Sequence, residues 1–293
     1  MNTMRPQAAD RPAWSHSEVP LLSEAEFRLI SDLVHDECGI NLGIEKKTFL
    51  ESRLKRRMDE VGIRSGYEYY NLIKHSPKRY DELRALLDVL MICETSFFRN
   101  RPQFDLLTDV VLPELRARKA AVGSRTLRVW SAGCATGQEP YTATMTILES
   151  LPLSETWSVK VFASDLSFSA LERAQSGLYR TDQLKGIDDY HLRKYFREEN
   201  GLFGVTNQVK DRVVFDYHNL KHDNGLRGID IIFCRNVLIY FNSDGQRRLI
   251  DRFINCLVPG GYLFLGHAES LQGLSSRFTM LHRKKGIAYK LDL

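Results

Sequence analysis

The chain has 293 residues, 43% hydrophobic and 27% charged, with a formal net charge of +4. That length suits one large domain plus a smaller one, and the composition is that of an ordinary globular protein rather than a fibrous or low-complexity one. The mild charge requires any functional basic character to be local. Five widely spaced cysteines without a C-x-x-C argue against a disulfide framework or a zinc site and for a reducing compartment. No apolar run approaches membrane-spanning length and the N-terminus lacks a signal-peptide core, so a cytoplasmic protein without membrane insertion is expected.

Residues 1–20 are rich in Pro, Ala, Ser and charge, the composition of a disordered tail. Ser23 and Glu26 form a capping box ahead of a helical face made by Phe27, Ile30, Leu33 and Val34, and Gly39 stops the helix. A second helix is predicted from Ile44 to Val61, with Leu50, Leu54 and Met58 on its apolar face. Beside that face, Lys46, Arg53, Arg56 and Arg57 cluster within about a third of the circumference. Such a run is either a solvated basic face or a docking surface for an acidic partner; its arginines favour the second, because guanidinium forks pair specifically with carboxylates. A third segment, 67–74, and a fourth that places Pro77 at its first helical position complete an all-α domain over residues 21–92.

Residues 93–101 form a junction in which Phe97 and Phe98 are expected to seat one domain on the other. A helix over 102–118 leads to the central stretch, Leu127 to Tyr141. Here a strand breaks at Gly133 and Gly137 and continues into a helix. Strand, glycine turn and helix N-terminus together should face backbone amides towards a ligand. The spacing is G-x-x-x-G followed by Glu139, not the G-x-G-x-x-G of a nicotinamide site, and an acid there suits a cofactor with a cationic part. The next strand, 159–164, ends in Asp165, where doubly wound folds hold ribose hydroxyls. In this order the two acids point to an adenosine-containing ligand.

Beyond a helix over 167–176, residues 178–212 are polar and turn-rich and read as an inserted small β-subdomain. Strand 213–215 follows, then Asn219 and Leu220, and a central strand over 228–234 whose carboxyl end carries Arg235 to Phe241. A helix over 246–257, a strand over 262–265 and a hairpin joined through Gly286 close the chain. The fold class is α/β over 102–293, preceded by the helical domain.

Trp130-Ser-Ala-Gly-Cys-Ala-Thr-Gly-Gln-Glu-Pro-Tyr141, Glu94-Thr-Ser-Phe-Phe-Arg99, Phe233-Cys-Arg-Asn-Val-Leu-Ile-Tyr-Phe241 and Gly266-His-Ala-Glu-Ser270 resemble the CheR-type chemotaxis receptor methyltransferases, over nearly the whole chain and in order. The resemblance implies a Rossmann-like class I methyltransferase domain with an inserted β-subdomain, S-adenosylmethionine as cofactor and no metal. It implies cofactor contacts at Cys93, Thr95, Arg99, Gly133, Glu139, Asp165, Asn219, Leu220, Asn236 and Val237, with Asp165 on the ribose and Arg99 near the methyl group. Cys93 stands where the family usually has Asn, and Gln138 where it commonly has Glu. The implied acceptors are glutamates on the cytoplasmic helical bundle of methyl-accepting chemotaxis receptors, on which the basic face of the second helix would dock. The short insertion, without a glycine-rich loop, points to a member that needs no C-terminal receptor tether.

A glutamate is already ionised at neutral pH, its pKa being about 4.3, so methyl transfer to it needs no general base. Accordingly no Ser-His-Asp set appears. The task left to the protein is alignment and exclusion of water. Arg99 and Tyr240 are the residues expected to position acceptor and methyl, and His267 is expected to be a hydrogen-bonded structural histidine. Two other readings remain at this level: a methyltransferase of the same fold with another substrate, and a cofactor-binding signalling module without turnover. No Asn/Asp-Pro-Pro-aromatic motif is present, and the basic residues lack interleaved stacking aromatics, which disfavours nucleic acid.

Overall fold

The capping box forms as expected: the Ser23 hydroxyl accepts the Glu26 amide while the Glu26 carboxylate accepts the Ser23 amide. It opens α1 (Glu24–Cys38) in a computed structural model that describes residues 21–152 and 155–292. The expected tail, 1–20, lies outside the described residues. A single 3-10 turn, Ile44–Lys46, precedes α2 (Lys47–Val61), and α3 (Gly66–His75) and α4 (Arg79–Leu90) follow. Pro77 is not the first residue of α4. It sits in the turn before it, where Arg79 N–H donates to the Ser76 carbonyl. Phe27, Ile30, Leu50, Leu54, Tyr69 and Leu86 meet in the core of these helices.

That core contains one charged group. The Glu82 carboxylate is buried, accepting Arg57 Nε at 2.8 Å, Arg57 Nη2 at 2.5 Å and the Tyr69 hydroxyl at 2.6 Å. Burial and this carboxylate push the Tyr69 hydroxyl well above its ordinary pKa. Arg57 therefore ties α2 to α4 rather than standing on an open docking face. Periodicity put it beside Arg53 and Arg56, but a partner 25 residues away decided its role.

The helix expected over 102–118 runs from residue 101 to residue 121 in three parts: α5 (Arg101–Leu106), a π-helical turn Leu107–Val111, and α6 (Leu112–Ala121). Pro113, which has no amide to continue the ladder, follows the wide turn. Next come β1 (Thr126–Ala132), α7 (Gln138–Ser150), β2 (Ser158–Asp165) and α8 (Phe168–Ser176). The inserted segment holds β3 (Leu178–Tyr179), α9 (Asp189–Tyr195), β4 (Phe196–Glu199), β5 (Leu202–Val205) and α10 (Asn207–Lys210), its strands pairing β3-β5-β4. The chain then adds β6 (Val213–Tyr217), β7 (Ile229–Cys234), α11 (Ser243–Cys256), β8 (Leu257–Leu265), β9 (Phe278–Arg283) and β10 (Gly286–Leu291).

The seven-stranded sheet has the order β6-β2-β1-β7-β8-β10-β9, parallel from β6 to β8 and antiparallel beyond. Strand order reverses between β1 and β7, which opens a crevice at their carboxyl ends. Asp230 is the charged exception in the central strand; it is fully buried, meeting Lys119 Nζ at 2.7 Å and accepting the Arg128 amide. Three boundaries differ from expectation. The helix α11 starts earlier, at the Asn242 cap. Strand β8 runs through Pro259-Gly260-Gly261, with a register shift opposite Ile229 and Ile231. Gly286 belongs to β10, and Lys284 in the turn before it takes the positive φ.

Phe97 and Phe98 do not seat the helical domain. Phe97 is buried edge-on against Tyr179 and Phe196 of the inserted sheet, and Phe98 against Phe104 and His191. The helical domain is held by other contacts. Asp88 Oδ1 accepts the Ser167 hydroxyl and the Ser169 amide, Asn219 Nδ2 donates to the Glu37 carbonyl, and Asn41 N–H donates to the Tyr240 carbonyl.

Replacing Glu82 by Ala leaves the Arg57 guanidinium and Tyr69 hydroxyl without their partner. A loss of about 3 kcal/mol is expected, the low end for a broken buried pair because Arg57 is partly exposed. Urea denaturation of Glu82→Ala against the parent chain measures it.

Candidate functional site

The crevice at the switch point is roofed by the helical domain. Its walls are Cys38, Ile40, Met91 and Ile92 on one side and the carboxyl ends of β1, β2 and β7 on the other. Every residue expected near the cofactor lines it: Cys93, Thr95, Arg99, Gly133, Glu139, Asp165, Asn219, Leu220, Asn236 and Val237, together with Tyr240. Residues separated by almost 150 positions thus share one cavity.

Four amides of the glycine loop turn inward, so they do not join the cradle expected of strand, turn and helix N-terminus. Gly133 and Cys134 N–H both donate to the Ser164 carbonyl, Gly137 N–H to the Cys134 carbonyl, and Ala135 N–H to Asp165 Oδ2 at 2.8 Å. With these four amides turned inward, those left to face a ligand are at Thr136 and in the first turn of α7, beside the Glu139 carboxylate. Gly133 has φ +81°, and a Cβ there would meet Val237 Cγ2 at 2.5 Å, so glycine lets the two edges of the crevice close.

What the crevice presents instead is two buried carboxylates. Asp165, at the end of β2, accepts the Ala135 amide on one oxygen and the Ser167 amide on the other, and each oxygen keeps a lone pair for a ligand. Burial raises its pKa, opposed by those amides. Glu139, in the first turn of α7, accepts the Ser131 hydroxyl at 2.7 Å and Arg235 Nη1 at 3.3 Å. Burial raises its pKa too, against the pull of Arg235.

Arg235 was missed by the sequence reading, which saw it only as part of a motif. Its side chain is 4% exposed. It lies over the Phe104 ring, and Nη2 donates to the Arg99 carbonyl at 2.5 Å while Nε has no partner among the described residues. A second missed residue is Glu269. Its carboxylate accepts the amides of Asn236, Gly266 and Ile239, fixing Asn236 at φ +60°. His267, two residues earlier, was expected to be a hydrogen-bonded structural histidine; it is exposed, and no side-chain hydrogen bond holds it among the described residues. The signal for Glu269 was its place in the Gly266–Ser270 motif; nothing in the residue type announced which neighbour mattered.

Arg99 lies at the crevice, in a turn where Phe98 and Asn100 both have positive φ, and its Nη1 donates to the Glu94 carbonyl. Tyr240 is half-buried, and desolvation raises its hydroxyl pKa, keeping it a donor. Cys93 is pushed up to about 11 by burial and so offers the crevice a neutral thiol. The Asn219 side chain is committed to Glu37 and to the Lys221 amide. Away from the crevice, Arg53 and Arg56 are exposed on α2, while Lys46, expected on the same helix, ends the 3-10 turn before it and is partly exposed.

Residues 25–91 match the family model described as CheR methyltransferase, all-alpha domain, and residues 93–287 that of CheR methyltransferase, SAM binding domain. The chain belongs to the CheR methyltransferase family. Among its relatives are the chemotaxis protein methyltransferase of Escherichia coli K12, 38% identical over 88% of this chain and 89% of that protein. Another is that of Vibrio parahaemolyticus, 37% identical over 92% and 98%. Chemotaxis protein methyltransferase 1 of Pseudomonas aeruginosa is 36% identical over 92% and 98%. The family's SAM-binding domain spans every strand of the crevice, and two buried acids suit a cofactor with a cationic part.

Glu269→Ala removes the acceptor of three backbone amides. The expected cost is about 1–3 kcal/mol of local stability, read as faster hydrogen exchange at Asn236 and Ile239, while the amides of β1 stay protected.

Proposed function

We propose that this chain transfers a methyl group from S-adenosylmethionine to glutamate side chains of methyl-accepting chemotaxis receptors, yielding glutamate methyl esters and S-adenosylhomocysteine. The observation that carries this reading is the pairing of Asp165 and Glu139 in one crevice at the switch point of a CheR-family fold. S-adenosylmethionine supplies a methyl on a cationic sulfur and leaves as a neutral thioether. Asp165 accepts from the ribose hydroxyls through its free lone pairs, and Glu139 accepts from the α-ammonium at the methionine end. Thr95, Gly133, Leu220, Asn236 and Val237 shape the crevice around the adenosyl group, and Cys93 packs there as a neutral thiol.

The acceptor arrives as a carboxylate, so the chain need not remove a proton. Arg99 orients that carboxylate by its charge, and Tyr240 lines the path to it with a protonated hydroxyl. The helical roof, with Ile92 and Ile239 half-exposed at the rim, excludes water as the acceptor helix settles. Docking falls to Arg53 and Arg56, with Lys46 at the margin and the exposed Lys55 added by the structure; Arg57 is engaged with Glu82. This supports binding to the acidic face of a cytoplasmic receptor bundle and recruitment from the cytoplasm to receptors at the inner membrane face. No helix among the described residues is long and apolar enough to cross a membrane. The β4–β5 hairpin closes through Asn200-Gly201 alone, both at positive φ, which supports action without a C-terminal tether.

The direct test is transfer of labelled methyl to a receptor signalling fragment, followed by mild alkali. Label released by base is expected; label stable to base would refute a carboxyl ester. Arg99→Ala should lower kcat at least about tenfold. Arg53→Glu with Arg56→Glu should instead raise KM for the receptor about tenfold and remove much of its salt dependence, with affinity for S-adenosylhomocysteine unchanged by calorimetry.

A further inference from the structure

Arg235 reaches two residues that the proposed reaction uses for different partners. Its Nη1 meets Glu139 Oε2 at 3.3 Å, and its Nη2 donates at 2.5 Å to the carbonyl of Arg99. Phe104 supports the guanidinium plane from one face, with the ring centroid 5.6 Å from Cζ. Buried so deeply, an arginine with an unpartnered Nε is costly. A hydrophobic residue of similar size would fill the space at less cost if packing were its whole purpose.

We propose that Arg235 is a positioning residue that keeps Glu139 ionised for the cofactor's ammonium and, through the same planar fork, holds the Phe98-Arg99-Asn100 turn against the crevice. The inference rests on the reading of Glu139 as a contact of S-adenosylmethionine. The turn needs an outside anchor, because Phe98 and Asn100 both adopt left-handed backbone that side chains other than glycine resist. A guanidinium serves both ends because its donors diverge in a fixed plane; a lysine ammonium has one centre and reaches one of them.

The charges around Glu139 come from several elements. Arg235 follows β7, Arg99 lies in the junction turn, the Ser131 hydroxyl comes from β1, Cys134 and Cys234 lie close by as neutral thiols, and Glu269 adds negative charge near Arg235. Burial already raises Glu139, and Arg235 is the foremost group opposing it. Without Arg235 the carboxyl pKa rises further, so Glu139 protonates at a higher pH and its hold on an ammonium is lost below that point. Affinity then climbs as pH rises through the new midpoint.

Calorimetric titration of S-adenosylhomocysteine from pH 5.5 to 8.5 tests this on the full chain, alongside thermal melting. Arg235→Met is expected to bind at least about tenfold more weakly at pH 6 and to regain affinity with pH, its midpoint displaced upward from the parent's. Arg235→Lys keeps the charge: its midpoint should stay near the parent's while kcat towards a receptor fragment falls and KM for S-adenosylmethionine changes little. Should Arg235→Met fold poorly, the Arg235→Lys split between midpoint and kcat decides by itself. Unchanged midpoint and affinity in Arg235→Met, or unchanged kcat in Arg235→Lys, overturns the inference. Glu139→Gln separates the two layers. If it loses binding while both Arg235 variants match the parent, the positioning role alone falls. If Glu139→Gln binds as the parent does, the cofactor contact at Glu139 falls and the role of Arg235 with it.

Discussion

Two carboxylates held out of water at the carboxyl edge of a parallel sheet set the terms for the rest of this molecule. A buried acid is unfavourable unless donors surround it. Asp165 obtains them from the backbone, through the amides of Ala135 and Ser167, which requires the glycine loop to fold inward on β2. Glu139 obtains them from side chains, Ser131 on one oxygen and Arg235 on the other. Four of the loop's amides are thereby spent on the protein, and the two acids make the crevice one that favours a positive ligand. The usual anion-binding property of a strand–turn–helix junction is opposed here by two acids, Asp165 and Glu139, at the mouth of the turn.

The helical domain closes this crevice as well as presenting a basic face. Cys38, Ile40, Met91 and Ile92 form the wall opposite the sheet. The contacts holding it there involve the site directly. Asn219 bonds the end of α1, Asp88 bonds Ser167 beside Asp165, and the Tyr240 carbonyl accepts from Asn41. Cofactor enclosure and domain docking therefore share residues, so a change in the placement of α1 or α4 alters the walls of the site.

Much of the architecture was legible beforehand because it depends on local rules. Apolar runs of strand length, glycines where the chain leaves a helix, and the Ser23–Glu26 cap each act within a few residues. The acids at Glu139 and Asp165 were legible for the same reason: Asp165 ends a strand, and Glu139 follows the glycine turn into a helix. Element edges were less so. Strand β8 carries through Pro259-Gly260-Gly261 because β7 pairs with it on both sides, at Leu257 and again from Tyr262, and the π-helical turn before Pro113 leaves no mark in apolar periodicity.

The sequence by itself determined the order of elements, the family, and which acids stand at the strand end and the helix start of the site, since these follow from short-range patterning and motif spacing. Tertiary structure decided which charged groups are free and which are spent. Arg57 belongs to Glu82, Arg235 to Glu139 and Arg99, and Glu269 to the Asn236 backbone, over separations from 25 to 136 residues. Phe97 likewise serves the inserted sheet and not the helical domain. The physical reason is common to all of them. The energy of a buried charge or aromatic ring depends on its immediate surroundings, and those are assembled from distant parts of the chain.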